Sequence, residues 1–322
     1  MSDQIHLAFI KKRIEDLGSI SEIIPWSIAI PLGMIIFFAP HPDWHGDLDA
    51  FRNRSDTLWH PYWAHWIFQL LSVFPEQITY ILLSLASIML VYLAVWVFEG
   101  HHWLVFTSFA LAWTLYYGQI DSLVVGGLAF AWWALKQDKP ILIGVGLILA
   151  SIKPQLSLPL MLIIWWWSPN RLKSLFVPFI VFLISLVQWG FWIPEWIEKI
   201  FDTDFLINLS RNLSLWTLFG PIILLIWPLI FWLPVSRKNK LLAIAAGTAM
   251  TFPYFPLPSA ILFLVMPVPV WVYILLQLPL LASVVGYELY YLMKIVPLLI
   301  LFWVSWPVIM LFVRRYRSSA PA

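Results

Sequence analysis

Long apolar runs separated by short polar breaks organise this chain from residue 23 onward. The first predicted span covers 23–40. A polar stretch, HPDWHGDLDAFRNRSDTLWH, fills 41–60, and an amphipathic piece, PYWAHWIFQLLSVFP, comes next. Further runs cover roughly 77–98, 102–117, 120–135, 140–152, 155–167, 173–194, 214–235, 241–266, 268–286 and 294–313. A membrane-crossing helix takes about 20 apolar residues, and shorter helices serve where they pack inside a bundle. The pattern predicts an all-α polytopic membrane protein with about 10–12 transmembrane helices. The runs at 140–152 and 155–167 are short and separated by IKP, which predicts a hairpin that does not cross completely. Prolines 253, 256, 258, 267, 269 and 279 interrupt 241–286, a stretch that fits two, three or four passes.

Composition removes the soluble alternatives. The chain is 61% hydrophobic and 11% charged, with a mean hydropathy of +0.85, whereas soluble domains carry roughly 25% charged residues. The absence of cysteine excludes disulfides, thiolate nucleophiles and zinc–thiolate sites. Its 22 tryptophans and 24 prolines suit interface anchors and bent helices. The polar, mixed-charge start, MSDQIHLAFIKKRIEDLG, reads as a cytoplasmic segment and not as a cleaved signal.

Charge position then sets an orientation. With the N-terminus inside, the basic clusters Lys11, Lys12, Arg13; Lys136, Lys139; Arg171, Lys173; Arg237, Lys238, Lys240; and Arg314, Arg315, Arg317 are cytoplasmic, 13 of the 19 basic residues. Arg52, Arg54, Lys153, Lys199, Arg211 and Lys294 are the six outside, together with 11 of the 17 acids. The expected layout is a cytoplasmic segment 1–19, a module at 20–170 with its first outer loop at 41–76, C-terminal helices at 171–313 with an outer loop at 195–213, and a cytoplasmic tail at 314–322. The protein is expected in the inner (plasma) membrane, multi-pass, with both termini cytoplasmic. The 41–76 loop, the GQID turn, the IKP turn and the 195–213 loop then share the outer face. The spans hold no Asp, Glu, Lys or Arg at mid-depth, which argues against ion-coupled transport and places any chemistry at the outer surface.

Each polar candidate there has an ordinary reading beside the functional one. Asp47 and Asp49 suit a general base or a metal, or else form a solvated loop pairing weakly with Arg52 and Arg54. His41 and His45 have helical metal-ligand spacing, but Pro40 and Pro42 oppose a regular helix there. His60 and His65 flank PYWA and could bond a lipid phosphate or sit at the interface. Lys153 stands outside against the charge trend, where a cation meets an anion such as a lipid phosphate, or snorkels to headgroups. Gln119 and Asp121 lie in a two-helix turn in which Gly118 ends one helix and Asp121 caps the next, the amide being left to face a ligand. Arg211 and Asn212 precede an apolar run, and the triplets at Asn208 and Asn212 resemble sequons. No phosphate-cradling glycine loop, Ser-His-Asp arrangement or nucleic-acid signature is present.

The set resembles the GT-C superfamily of integral-membrane glycosyltransferases, above all the bacterial polyprenol-phosphate-mannose-dependent mannosyltransferases of the phosphatidylinositol-mannoside group. The likeness rests on DLDAF in the first outer loop followed by WHPYW, on YGQID, and on ASIKPQ about 30 residues later, in that order over roughly 20–170. DLDAF lacks the Val-Tyr usual there, HPYW replaces a double proline, and nothing distinctive follows residue 170. The resemblance implies that Asp47 is the catalytic base, with Asp49 as its alternate. It also implies that Lys153 meets the donor phosphate, with Gln119, Asp121, Arg52, His60 and Arg211 binding substrate around it, Asp121 beside Lys153 and below Asp47. The implied reaction moves mannose or another hexose, with inversion, from a polyprenyl-phosphate donor to a lipid or glycan acceptor of the cell envelope. Membrane lipids are the other expected partners; no nucleic acid, metal or cofactor is expected. A lipid-linked-sugar flippase and a non-catalytic envelope-assembly subunit stay open as alternatives.

Overall fold

The computed structural model describes residues 60–201, 212–278 and 293–319, together with Gly33 and Leu48. It is all-helical, with no strand among the described residues. A 3-10 turn at Tyr62–Ala64 leads into α1 (His65–Leu71), the predicted amphipathic piece. Tyr62 stacks on Trp192 at 5.4 Å, and the Trp66 indole donates to Gln188 Oε1 at 2.6 Å, which clasps this entry segment to the other side of the bundle.

α2 (Glu76–Phe98) is a full span. It buries Tyr80, Leu83, Ser87, Val91, Ala94 and Val95 and leaves Leu82, Leu85, Met89 and Leu93 exposed to the bilayer, so one stripe packs and the other is solvated by lipid. The 102–117 run is not one helix. It breaks into α3 (His102–Phe106) and α4 (Phe109–Tyr116), because Ser108 caps α4 by accepting from the Leu111 amide. After the GQID turn comes α5 (Asp121–Lys136), bent by 117° from α4.

α6 (Pro140–Ala150) and α7 (Pro154–Trp166) each begin on a proline, where the missing N–H costs nothing. At 11 and 13 residues, they reach about 17 and 20 Å, short of a hydrocarbon core of about 30 Å. α5 returns through a tight turn, with Asp138 at φ 52°, into antiparallel α6. Glycine permits the contact: a Cβ on Gly127 would lie 2.5 Å from the Ala150 nitrogen, and one on Gly146 would lie 2.5 Å from the Ala131 nitrogen. α8 (Arg171–Trp189), capped by Asn170, is the second helix long and apolar enough to span, and α9 (Ile193–Phe201) follows. Among the described residues those two qualify singly, and the bent α4–α5 pair adds a third if counted as one span.

The 214–235 run is likewise broken, into α10 (Trp216–Phe219), a 3-10 stretch at Gly220–Leu225 and α11 (Ile226–Trp232). α12 (Arg237–Thr251) opens on a basic turn and is then buried on every side from Lys240 to Thr251, the signature of a helix at the centre of a bundle. Beyond it the chain turns irregular through the prolines and re-enters as a 3-10 turn (Leu257–Ala260) and α13 (Ile261–Leu264), then α14 (Val270–Leu276). This non-helical backbone is buried in protein, as irregular backbone within a membrane protein has to be. The last helix, α15 (Val296–Ser319), packs on α12 and α14.

The two ends of α5 mark two ends of the bundle. At the Lys136 end, Glu99 accepts from Lys238 at 2.7 Å and pairs with Lys136 at 3.5 Å, while Arg237 lies over the Trp167 ring. Lys136, Arg237 and Lys238, from two of the basic clusters assigned to one side by the charge count, therefore lie at one end of the bundle. At the Asp121 end lies the candidate site.

Candidate active site

The site begins with how α4 stops. Gly118, at φ 54°, takes the left-handed conformation that a residue with a Cβ resists. Its N–H bonds the Leu115 carbonyl at 3.2 Å and the Gln119 N–H bonds the Thr114 carbonyl at 2.8 Å, the paired bonds of a Schellman ending. Tyr80 of α2 donates to the Leu115 carbonyl at 2.7 Å and holds the turn from outside. Two residues later α5 starts, with Asp121 in its first turn. A second buried anchor, Ser122 Oγ to Ser87 Oγ at 2.6 Å, fixes this end of α5 on α2.

Asp121 does not cap α5 with its side chain, as the sequence suggested; Ile120 occupies the N-cap position and no side-chain cap forms. Its carboxylate turns instead to Lys153. The Lys153 Nζ lies 2.8 Å from Asp121 Oδ2 and donates to Gln119 Oε1 at 3.1 Å. Both charges are buried, the Asp121 side chain being 0% and the Lys153 side chain 7% exposed. The second carboxylate oxygen accepts from Ser259 Oγ in the 3-10 turn before α13.

Lys153 is delivered by the α6–α7 turn. It precedes Pro154, which bars the α-region and keeps the residue extended, with φ −120° and ψ 83°. Ser157 closes the turn by donating to the Ala150 carbonyl at 2.6 Å and the Lys153 carbonyl at 3.1 Å. His60 reaches in from the start of the described chain, its Nδ1 hydrogen-bonding the Ile152 carbonyl at 3.0 Å. The imidazole therefore positions the backbone next to Lys153.

Four candidates from the sequence, His60, Gln119, Asp121 and Lys153, thus meet in one place. Asp47, Asp49, Arg52 and Arg211 lie outside the described residues, as do His41 and His45. Leu48, between the two acids, is 1% exposed and belongs to the hydrophobic core. Sequence reasoning missed Ser259, since a lone serine among prolines carries no signal of its own. It also missed what Asn212 does. Asn212 Oδ1 accepts from the Phe255 and Ser214 amides at 2.9 and 3.0 Å, and its Nδ2 donates to the Pro253 carbonyl at 2.8 Å. One side chain thereby shapes the irregular segment that presents Ser259.

The chemical character is that of a fixed, desolvated cation. A buried ion pair is expensive, because desolvating two charges offsets much of their attraction. Here the carboxylate is satisfied on both oxygens, and the cation is the member of the pair that keeps some exposure. Among the described residues no group of three or more His, Cys, Asp and Glu gathers as a metal site would require.

The model of glycosyltransferase family 87 matches residues 60–260 of the chain. No curated protein and no solved structure matches it. The matched stretch opens at His60 and closes one residue past Ser259, so it contains every described member of the site.

Proposed function

The chain belongs to glycosyltransferase family 87, and we propose that this membrane glycosyltransferase moves a hexose, such as mannose, from a polyprenyl-phosphate donor to a lipid or glycan acceptor. Transfer takes place at the outer face of the plasma membrane, with the Lys136–Glu99–Lys238 end of the bundle cytoplasmic. Asp47 takes the proton from the acceptor hydroxyl, with Asp49 as its alternate. The acceptor oxygen forms its bond to the anomeric carbon from the face opposite the phosphate, so the configuration inverts. The carbon–oxygen bond to phosphate breaks and its electron pair leaves with the polyprenyl phosphate. A lipid phosphate leaves readily, so a second carboxylic acid at glycosidase spacing is not needed.

The observation that carries this reading is the buried Lys153–Asp121 pair. A lysine is retained in so apolar a surrounding at a cost, and both members of the pair are buried, the lysine slightly less completely than the carboxylate. Negative charge grows on the departing phosphate in the transition state, and a cation already held in place stabilises it without reorganising. Asp121, Gln119 and, through Asp121, Ser259 fix that position, while His60 holds the turn. Arg52 and Arg211 add positive charge from the two outer loops.

The test is sugar transfer in liposomes by wild type and Asp47→Asn, with labelled polyprenyl-phosphate sugars as donors and extracted envelope lipids and glycans as acceptors. Transfer that falls at least about a hundredfold in the variant supports Asp47 as base. Equal transfer by both moves the base to Asp49, and no transfer by wild type from any donor refutes the donor class.

A further inference from the structure

Two residues beyond Lys153, in the first turn of α7, the Gln155 side-chain oxygen Oε1 is buried and has no hydrogen-bond donor. Buried acceptors are nearly always paired, so an orphan one beside a candidate site asks what completes it. Other orphan atoms, Ser168 Oγ at the far end of α7 and Gln277 Nε2 after α14, lie away from this turn.

The chemistry of the neighbours narrows the answer. Gln119 turns its carbonyl oxygen to the Lys153 ammonium, which directs its amide hydrogens away from that cation. The turn that carries Lys153 thus offers a cation, an amide donor from Gln119 and, two residues further along the chain, the acceptor of Gln155. A phosphate group carries oxygens without hydrogens at neutral pH and cannot satisfy Gln155. A sugar hydroxyl can, because it donates as well as accepts.

Resting on the donor class given above, we propose that Gln155 Oε1 accepts a hydrogen bond from one hydroxyl of the hexose being transferred, and that this bond helps select which hexose is used. A site built to bond a substrate hydroxyl discriminates against the analogue lacking it, because its own buried polar group is then left unpaired.

The experiment uses the full chain in liposomes with farnesyl phosphate mannose, glucose and galactose, followed by the monodeoxy analogues of whichever is transferred. Wild type should lose about 10- to 100-fold in kcat/KM on one monodeoxy donor. Gln155→Leu should lose a similar factor on the parent donor and show no further penalty on that same deoxy donor, while the other positions respond as in wild type. Gln155→Glu, which still presents an acceptor oxygen, should keep the discrimination and serves as the second variant should Gln155→Leu fail to fold. A uniform loss on every donor, or none, overturns the proposal, as does a penalty that follows deoxygenation of the acceptor. Wild type transferring none of the hexosyl donors sinks the donor class itself, whereas a response to Gln155→Leu that ignores sugar position overturns this inference alone.

Discussion

Consider removing one charge of the buried pair. Lys153→Gln leaves Asp121 with its Ser259 bond but without a counter-ion, inside an apolar bundle. Asp121→Asn leaves the ammonium on Gln119 Oε1 without its carboxylate. Breaking a buried pair by removing one partner costs about 3–5 kcal/mol, most of it from the stranded charge. In a chain of this size each kcal/mol lowers the melting temperature by about 2–4 °C, so each single variant should melt at least about 6 °C below wild type. Asp121→Asn/Lys153→Gln strands no charge and keeps side chains of similar volume. It should recover about a third of the summed loss, a coupling of about 2–3 kcal/mol. Thermal unfolding of the four proteins in one detergent reads this directly. Additive losses would refute the claim that the two groups are one buried unit, and so would single variants that melt within about 1 °C of wild type. Transfer separates stability from function: the double variant should fold and yet stay inactive, since the cation is gone.

Three further outcomes follow from other parts of the fold. Gly127→Ala puts a Cβ 2.5 Å from the Ala150 nitrogen, an overpacking worth about 1–3 kcal/mol; it should also spread α5 from α6 and lower transfer more than it lowers the melting temperature. Gly118→Ala forces a Cβ into the left-handed region at φ 54° and should cost about 1 kcal/mol in chemical denaturation. Hydrogen bonding from Lys238 chiefly holds the Glu99 carboxyl below its ordinary value of 4.5, so its contribution is present above that pH and is lost as pH falls through the depressed value. The group is half-exposed, which limits the effect to under about 1 kcal/mol; wild type should exceed Glu99→Gln in melting temperature at pH 7 and lose that margin in acid.

α2 and α8 were legible because length and apolar content suffice to define a span. The GQID turn was legible because Gly118 is required where α4 ends left-handed. Broken runs were not, since hydropathy is indifferent to where Ser108 caps α4 or where Gly220 and the prolines interrupt 214–235. Lys153 announced itself as a cation on the wrong side of the charge pattern, yet pattern alone could point it only at lipid phosphate or headgroups. Its bonding geometry to Asp121 depends on how closely α5 and α6 approach, a matter of glycines facing each other across the hairpin. Ser259 and Gln155 had no local signal, because their roles arise from what neighbouring segments leave unsatisfied.

The α5–α6 hairpin also orders the making of the site. Asp121 and Lys153 stand 32 residues apart, whereas Ser259 follows Asp121 by 138. During synthesis the hairpin can close on its own glycine contacts and bring lysine to carboxylate long before α12 and the proline-rich segment exist. A membrane-inserting chain with a lone charge resists release into lipid, but one that enters as a neutralised hairpin does not. The pair thus suits insertion as a neutralised unit, and Ser259 can reach it only after the later part of the chain has been made.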